Sequence, residues 1–378
     1  MKIVFTGGHF SPAYAVIKKM QKENEVFVVG RKFAFEGDTN ETYEYKICKK
    51  EHIPFAAIKA GRLQRKLTRY SLTALGRFPG GVYSAITILK KERPDVVVTF
   101  GGYIGLPVAI AASLLRIPVV LHEQTQKAGL SAKLISRFAS VVLVSFESSK
   151  NYFNTKKIVL TGNPLREELF DEIDIPQFHS QLPTIYITGG STGAHAINLL
   201  VMEIIPDLVS EFFVVHQTGS QDSNDIEKLL ALKEKLPEQY RKNYIVEKFY
   251  TPLEVSYLLK NSSLVVSRSG INTVLELLAL GSMAILIPLP YGQQNEQREN
   301  AKLYASTGLG EYLEQNTTTA STLLLKMRAM IKEQKKYRAN AQNAAQYIHA
   351  DATDKIIQQI YYYGRRKERR TSSSPEKA

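Results

Sequence analysis

Cys48 is the only cysteine in 378 residues, so no internal disulfide can form and a reducing compartment is expected. No uninterrupted apolar run is long enough to span a bilayer. The best stretch, residues 106–121, is broken by Arg116 and Pro118 and reads as helix, turn and strand. Nor does the start resemble a signal peptide: residues 1–6 read as a short strand running into glycines, with no basic segment and no long apolar core. Any membrane contact is therefore expected to be peripheral. Acidic residues are few, 36 against 49 lysines and arginines, for a formal charge of +13. That balance suits an anionic partner such as nucleic acid, a phosphorylated substrate or an acidic lipid surface. The basic residues are dispersed and no nucleic-acid recognition motif accompanies them, so no nucleic-acid partner is expected. No glycine turn carries the G-x-G-x-x-G pattern well or the P-loop lysine, which argues against nicotinamide and ATPase chemistry.

What is present is a repeated unit. Hydrophobic content of 44% and charged content of 22% suit a globular chain, and the length suits two domains. Strands are expected over residues 2–6, 26–30, 96–100, 119–123, 141–146 and 158–161, alternating with helices from about Ser11 or Pro12 and from about Pro107. The pattern restarts with strands over 184–188, 212–216, 244–249, 264–267 and 284–290. Strand–helix alternation of this kind predicts an α/β fold of two Rossmann-like, doubly wound parallel-sheet domains. Ligands of such sheets lie beyond the carboxyl ends of the strands, where the glycine turns stand, so both halves are expected to face one cleft. The expected boundaries are 1–163, 164–345, a helix over 346–363 packing back on the first half, and a disordered basic tail over 364–378.

The most informative stretch is 264–290: a buried strand, the turn Ser269-Gly270, a helix capped by Asn272 or Thr273 and ended by Gly281, then another strand. Small residues at that helix start suit a phosphate, and Glu276, a turn further on, suits a diol such as a ribose. Alone, this is equally an ordinary βαβ unit with a solvated glutamate. Gly7-Gly8, Gly101-Gly102 and Gly189-Gly190 repeat the strand–glycine–helix pattern.

Taken together, the motifs resemble a family. Gly7-Gly8-His9, Gly101-Gly102-Tyr103, His122-Glu123-Gln124, Gly162-Asn163-Pro164-Leu165-Arg166, Gly189-Gly190-Ser191-Thr192-Gly193-Ala194, His216-Gln217-Thr218-Gly219, Arg268-Ser269-Gly270 through Glu276, and Gln297-Arg298-Glu299-Asn300-Ala301 occur in this order. Over residues 1–345 the chain resembles the GT-B glycosyltransferases of family 28 that add N-acetylglucosamine to the lipid-linked muramyl-peptide precursor of peptidoglycan. The resemblance implies an enzyme that inverts the anomeric carbon of UDP-N-acetylglucosamine, needs neither cofactor nor metal, and works peripherally on the anionic cytoplasmic face of the cell membrane. No Asp-x-Asp metal motif occurs in the chain.

The donor would be held by Gly190, Ser191, Gly193, Gly270 and Thr273 at its diphosphate, Glu276 at its ribose, Phe249 at uracil, and Gln297 and Asn300 at the sugar hydroxyls. The acceptor, a polyprenyl-diphosphate-linked muramyl peptide, would meet Gly7, Gly8, Gly102, Tyr103, Thr125 and Arg166. His9 would be the general base, since imidazole chemistry suits proton abstraction near neutral pH; the alternatives are a helix cap or a diphosphate ligand. His122 and Glu123 would orient the acceptor or hold structure. Residues 62–70, basic with leucines at helical spacing, suit either a lipid surface or an ordinary surface helix. Two departures bear on the acceptor. The first glycine loop is shortened to Thr6-Gly7-Gly8-His9, and Thr125 stands where the family has asparagine. Rival readings are a transferase using the same donor on another lipid or glycan, and a sugar-nucleotide-binding protein without turnover.

Overall fold

The computed structural model describes residues 1–33, 41–58, 69–154, 156–190, 193–219, 224–291 and 295–371, with the backbone alone over 69–77 and 366–371. They form two compact units, Met1–Arg166 with the chain from His349 onward, and Glu167–Ile348.

The first unit contains, in order, β1 (Lys2–Thr6), α1 (Phe10–Met20), β2 (Glu25–Gly30), α2 (Tyr43–Lys50), β3 (Phe55–Ala57), α3 (Arg69–Glu92), β4 (Val96–Thr99), α4 (Gly102–Leu114), β5 (Val119–Glu123), α5 (Leu130–Ile135), β6 (Val141–Val144) and β7 (Ile158–Leu160). The strands make one parallel sheet in the order β3-β2-β1-β4-β5-β6-β7. Runs such as Val96-Val97-Val98 are buried on both sides because helices cover both faces. Alternate residues therefore serve different cores: Val4 and Val97 pack with Leu89 of α3 and Val108 of α4, while Ile3, Phe5, Val96 and Val98 pack with Val16 and Ile17 of α1.

The second unit contains β8 (Thr184–Thr188), α6 (His195–Glu211), β9 (Phe213–Gln217), α7 (Asp225–Lys235), α8 (Glu238–Arg241), β10 (Tyr244–Glu247), α9 (Pro252–Asn261), β11 (Leu264–Ser267), α10 (Ile271–Leu280), β12 (Ala284–Leu286), α11 (Glu296–Ser306), β13 (Gly310–Tyr312), α12 (Ala320–Lys332) and α13 (Gln334–Arg338). Its parallel sheet runs β10-β9-β8-β11-β12-β13.

In each sheet the strand order reverses once, between β1 and β4 and between β8 and β11. The glycine turns Gly7-Gly8, Gly101-Gly102, Gly189-Gly190 and Ser269-Gly270 follow those four strands. Switch points of this kind are where doubly wound sheets take ligands.

The chain closes with α14 (Ala352–Thr371) on the first unit, where Ile356 and Ile360 enter the α1 core. Lys19 pairs with Asp354 at 3.0 Å, and the Asn24 amide donates to the Tyr361 hydroxyl at 2.9 Å. The helix runs on past 364, where a disordered tail was expected. Gly364 packs against Met1 and Val96, and the Arg365 guanidinium covers the Tyr361 ring at 5.2 Å. Residues 372–378 lie outside the described residues, as do 62–68 of the basic stretch. Ile356→Ala is expected to cost about 2–5 kcal/mol, as for other fully buried aliphatic truncations. Urea denaturation measures it, and a surface-docked helix would lose far less.

Other differences have local causes. Helix α4 begins at Gly102 rather than near Pro107, because packing overrides the low helix propensity of its glycines. Helix α10 is capped by the Gly270 backbone, not by Asn272 or Thr273, and ends at Gly281 in the left-handed conformation (φ 62°). The last expected strand stops at Leu286.

Candidate active site

The turns at the two switch points are built alike. In the first unit the last residue of β4, Thr99, accepts the Gly101 N–H through its hydroxyl at 3.2 Å, and the Thr6 hydroxyl at the end of β1 donates to it at 2.9 Å. In the second, Thr188 at the end of β8 accepts the Gly190 N–H at 2.9 Å. Each threonine pins the turn that follows it. The two first-unit turns touch: a Cβ on Gly8 would lie 3.4 Å from the Gly101 carbonyl oxygen, and one on Gly102 would lie 3.3 Å from the Gly8 Cα. Only glycine allows this approach, at φ values of 125° for Gly8 and 76° for Gly102.

The helix starts carry the chemistry. Helices α1, α4, α6 and α10 follow the four switch-point strands, and none has a side-chain cap or an acid in its first turn. Elsewhere, α2, α9 and α12 are capped by Thr42, Thr251 and Thr319, and α7 and α11 open with acids. Orphan N–H groups and the positive end of the dipole are thus left for an anion at the switch points and neutralised at those other helices.

His9 occupies the N-cap position of α1, yet its imidazole makes no capping hydrogen bond. It is exposed, with Cδ2 3.8 Å from where a Cβ of Gly101 would be, so it stands beside both first-unit turns. Tyr103 is the second residue of α4, and the Arg31 guanidinium lies 4.6 Å from its ring centroid. Behind Gly7, the buried Glu44 carboxylate comes within 3.0 Å of the position of a Gly7 Cβ, and burial holds its pKa above the usual carboxylate value. Neither Arg31 nor Glu44 belongs to a motif of the sequence. Their separation from Tyr103 and Gly7 along the chain left no signal.

Thr125 does not present its hydroxyl to a ligand. It is buried in a loop centred on Glu123, whose carboxylate accepts the Thr125 N–H at 2.9 Å, the Thr125 hydroxyl at 2.7 Å and the Gly129 N–H at 3.2 Å. His122 is also structural: its Nε2–H donates to the Gly162 carbonyl at 2.9 Å. Gly162 itself (φ 83°) is pressed against His349, and Arg166 is partly buried at the end of the first unit.

In the second unit Gly193 (φ 82°) returns to Gly190, its N–H donating to the Gly190 carbonyl at 3.0 Å. Gln217, held by the Tyr186 hydroxyl at 2.8 Å, donates to the same carbonyl at 3.3 Å. The motif His216-Gln217-Thr218-Gly219 therefore holds the glycine turn. Ser191 and Thr192 lie outside the described residues. Across the switch point, Ser269 donates to the Gln297 carbonyl at 2.7 Å, and the Asn300 amide donates to the Ser269 carbonyl at 3.1 Å. Asn300, 1% exposed, thus holds the turn rather than lining an open sugar site. Gln297 keeps its place partly exposed, accepting the Leu289 N–H at 3.0 Å. Arg268 is buried, donates to the Ile287 carbonyl and Gln315, and has its pKa lowered to about 10 by burial. Gly270, Thr273 and Glu276 lie partly exposed along the start of α10. Phe249 is 50% exposed after β10, whereas Tyr250 turns inward against Phe178 and Tyr186. Among the described residues no three His, Cys, Asp or Glu side chains gather to hold a metal ion.

Residues 4–144 match the glycosyltransferase family 28 N-terminal domain, and residues 184–356 match the family's C-terminal domain. The chain belongs to glycosyltransferase family 28. Among its relatives is the UDP-N-acetylglucosamine--N-acetylmuramyl-(pentapeptide) pyrophosphoryl-undecaprenol N-acetylglucosamine transferase of Natranaerobius thermophilus, 34% identical over 87% of this chain and 89% of that one. The like-named protein of Clostridium tetani is 32% identical over 96% and 98%. Among solved structures, Acinetobacter baumannii MurG superposes with a TM-score of 0.68 at 27% identity, covering 96% of this chain and all of that one. A UDP-GlcNAc 2-epimerase from Neisseria meningitidis, 17% identical with a TM-score of 0.65 over 96% of this chain and all of that one, shares the fold alone. The family match makes the chain a glycosyltransferase, and its two Rossmann-like units with these strand orders have the GT-B fold.

Two motif histidines of this family 28 chain give it a pH signature. Burial lowers the pKa of His122 to about 4 and that of His216 to about 3, from an ordinary 6.5. Below pH 6.5 the unfolded chain takes up protons that the folded chain refuses, so stability falls as pH drops toward those values. Each histidine contributes a slope of at most about 1.4 kcal/mol per pH unit. Urea titrations of the protein and of His122→Gln and His216→Gln at pH 7.5 and 5 measure it. The slope should flatten in each variant, and unchanged slopes would contradict the assignment.

Proposed function

We propose that the chain transfers N-acetylglucosamine from UDP-N-acetylglucosamine to the C4 hydroxyl of an undecaprenyl-diphosphate-linked N-acetylmuramyl peptide, with inversion, in peptidoglycan synthesis. One observation carries the reading. Each unit has a switch point flanked by glycine turns and uncapped, acid-free helix starts, and the reaction in the relatives' names has two diphosphate substrates.

In this reading the second unit holds the donor. Gly190, Ser191, Gly193, Gly270 and Thr273 meet the diphosphate, the Glu276 carboxylate takes the ribose hydroxyls, and the exposed Phe249 ring stacks on uracil. Gln297 reaches the sugar, while Asn300 acts on it through Ser269. The first unit holds the acceptor diphosphate at Gly7, Gly8, Gly102 and Tyr103, with Arg166 as a cation and Thr125 shaping the loop beside them. His9 removes the proton of the C4 hydroxyl as its oxygen bonds to the anomeric carbon. The bond from that carbon to the diphosphate breaks, and the charge of departing UDP is met by the starts of α6 and α10. Neither metal nor cofactor takes part.

No helix among the described residues is long and apolar enough to cross a membrane. A lipid-linked acceptor and a +13 chain together support a peripheral place on the anionic cytoplasmic face of the membrane. Mass spectrometry of a short-chain muramyl-diphosphate lipid incubated with the protein and UDP-N-acetylglucosamine tests the proposal. One added N-acetylhexosamine is expected. Donor consumed on another lipid or glycan, with the muramyl lipid unchanged, would overturn the acceptor assignment.

A further inference from the structure

Resting on that reading of the acceptor site, we infer that Arg31 is a permanent cation of the first-unit switch point and binds the acceptor diphosphate. The two turns there bring none of their own: residues 3–17 and 94–115 contain neither lysine nor arginine. Packing supplies one from a third element. In the sheet, β2 and β4 flank β1, so their ends lie two strand spacings apart, about 10 Å. Arg31 is the first residue after β2, and Tyr103 is the second residue of α4, which follows β4. Their side chains nevertheless meet, with the guanidinium carbon 4.6 Å from the ring centroid. The contact therefore bridges the carboxyl end of β1, where Gly7-Gly8 turns.

The backbone under Arg31 is fixed. The Gly7 N–H donates to the Val29 carbonyl at 2.8 Å, and a Cβ on Gly7 would lie 3.2 Å from the Gly30 Cα. The Thr42 hydroxyl donates to the Arg31 carbonyl, and the Thr42 N–H donates to the Lys32 carbonyl at 2.8 Å. From behind, the buried Glu44 carboxylate accepts the backbone N–H groups of Arg31 and of Glu44 itself. Arg31 is half-buried, where charge is screened less than at an open surface. Unlike an imidazole, a guanidinium is charged throughout the working pH range. Over an aromatic ring it keeps its five N–H donors in its own plane. A bidentate carboxylate uses two of them, and a phosphate can take two more.

Steady-state transfer to a short-chain muramyl-diphosphate lipid tests the assignment. Arg31→Ala should raise the acceptor KM roughly ten- to hundred-fold, the range of charge-assisted hydrogen bonds, and leave the KM for UDP-N-acetylglucosamine unchanged. Arg31→Gln keeps a planar group for Tyr103 but no charge, and should behave like Arg31→Ala. Arg31→Lys should recover part of the loss. An unchanged acceptor KM in Arg31→Ala, or an Arg31→Gln that restores it, would overturn the role of Arg31. No transfer by the unsubstituted protein would instead overturn the acceptor assignment, and the role of Arg31 with it. Melting temperatures identify a variant that fails only by unfolding. In that case Arg31→Lys against Arg31→Gln decides, and equal acceptor KM values in the two would overturn the proposal.

Discussion

His9→Ala is expected to lower kcat roughly 10²–10⁴-fold, the usual range for removing a general base, while the KM for UDP-N-acetylglucosamine stays unchanged. The expectation comes from geometry. His9 holds the N-cap position of α1 without capping it, is exposed, and stands beside Gly101 where the two first-unit turns touch. A side chain freed from a structural task at a switch point can act on a ligand there. The split between constants distinguishes its two possible tasks. A base lost from the transition state lowers kcat, whereas a lost diphosphate ligand raises the acceptor KM. A variant with normal kcat and a raised acceptor KM would reassign His9 to binding.

The second large effect belongs to Gly193→Ala. At φ 82° the backbone is left-handed, which costs an L-residue about 1–2 kcal/mol. The added Cβ would also lie 2.3 Å from the Thr218 carbonyl oxygen. That carbonyl cannot retreat cheaply, because the Asn198 amide donates to it at 3.2 Å and the Thr218 N–H is tied to Glu247. The glycine turn must move instead. A displacement of about 1 Å at a positioning loop is enough to cost roughly 10²-fold in rate. Gly190→Ala is the control, since its φ of 77° carries the same strain but a Cβ there meets nothing within 4 Å among the described residues. Gly193→Ala should therefore melt below Gly190→Ala and lose more UDP affinity. Equal melting temperatures would mean that the turn absorbs the clash.

The strand–glycine–helix units were legible because the signal is local. A β-branched run, two glycines and an apolar helix fall within about twenty residues, and both switch-point pairs can be found that way. Strands β3 and β13, three residues each, are too short to show a period and went unseen. The start of α4 was misplaced because Pro107 suggests a first turn by preference, while the sheet and α5 hold the helix from Gly102. Side-chain roles were less legible than backbone ones. Asn300 looks like an exposed amide one helical turn from Gln297, but α11 turns it onto Ser269, 31 residues away in the chain. Glu44 carries no motif at all. What makes it notable is burial and a place behind Gly7 supplied by another element, which periodicity does not encode.

In the proposed reaction the two switch points hold two diphosphates, and helix starts, rather than a metal, meet the leaving charge. UDP release from UDP-N-acetylglucosamine, measured in detergent and EDTA with and without a short-chain muramyl-diphosphate lipid, tests it most directly. Release that requires the lipid and persists in EDTA is the predicted result. UDP-N-acetylglucosamine bound but not released with the lipid present, even after Mg²⁺ is added, would contradict the acceptor assignment, and release only after Mg²⁺ is added would contradict the metal-free account.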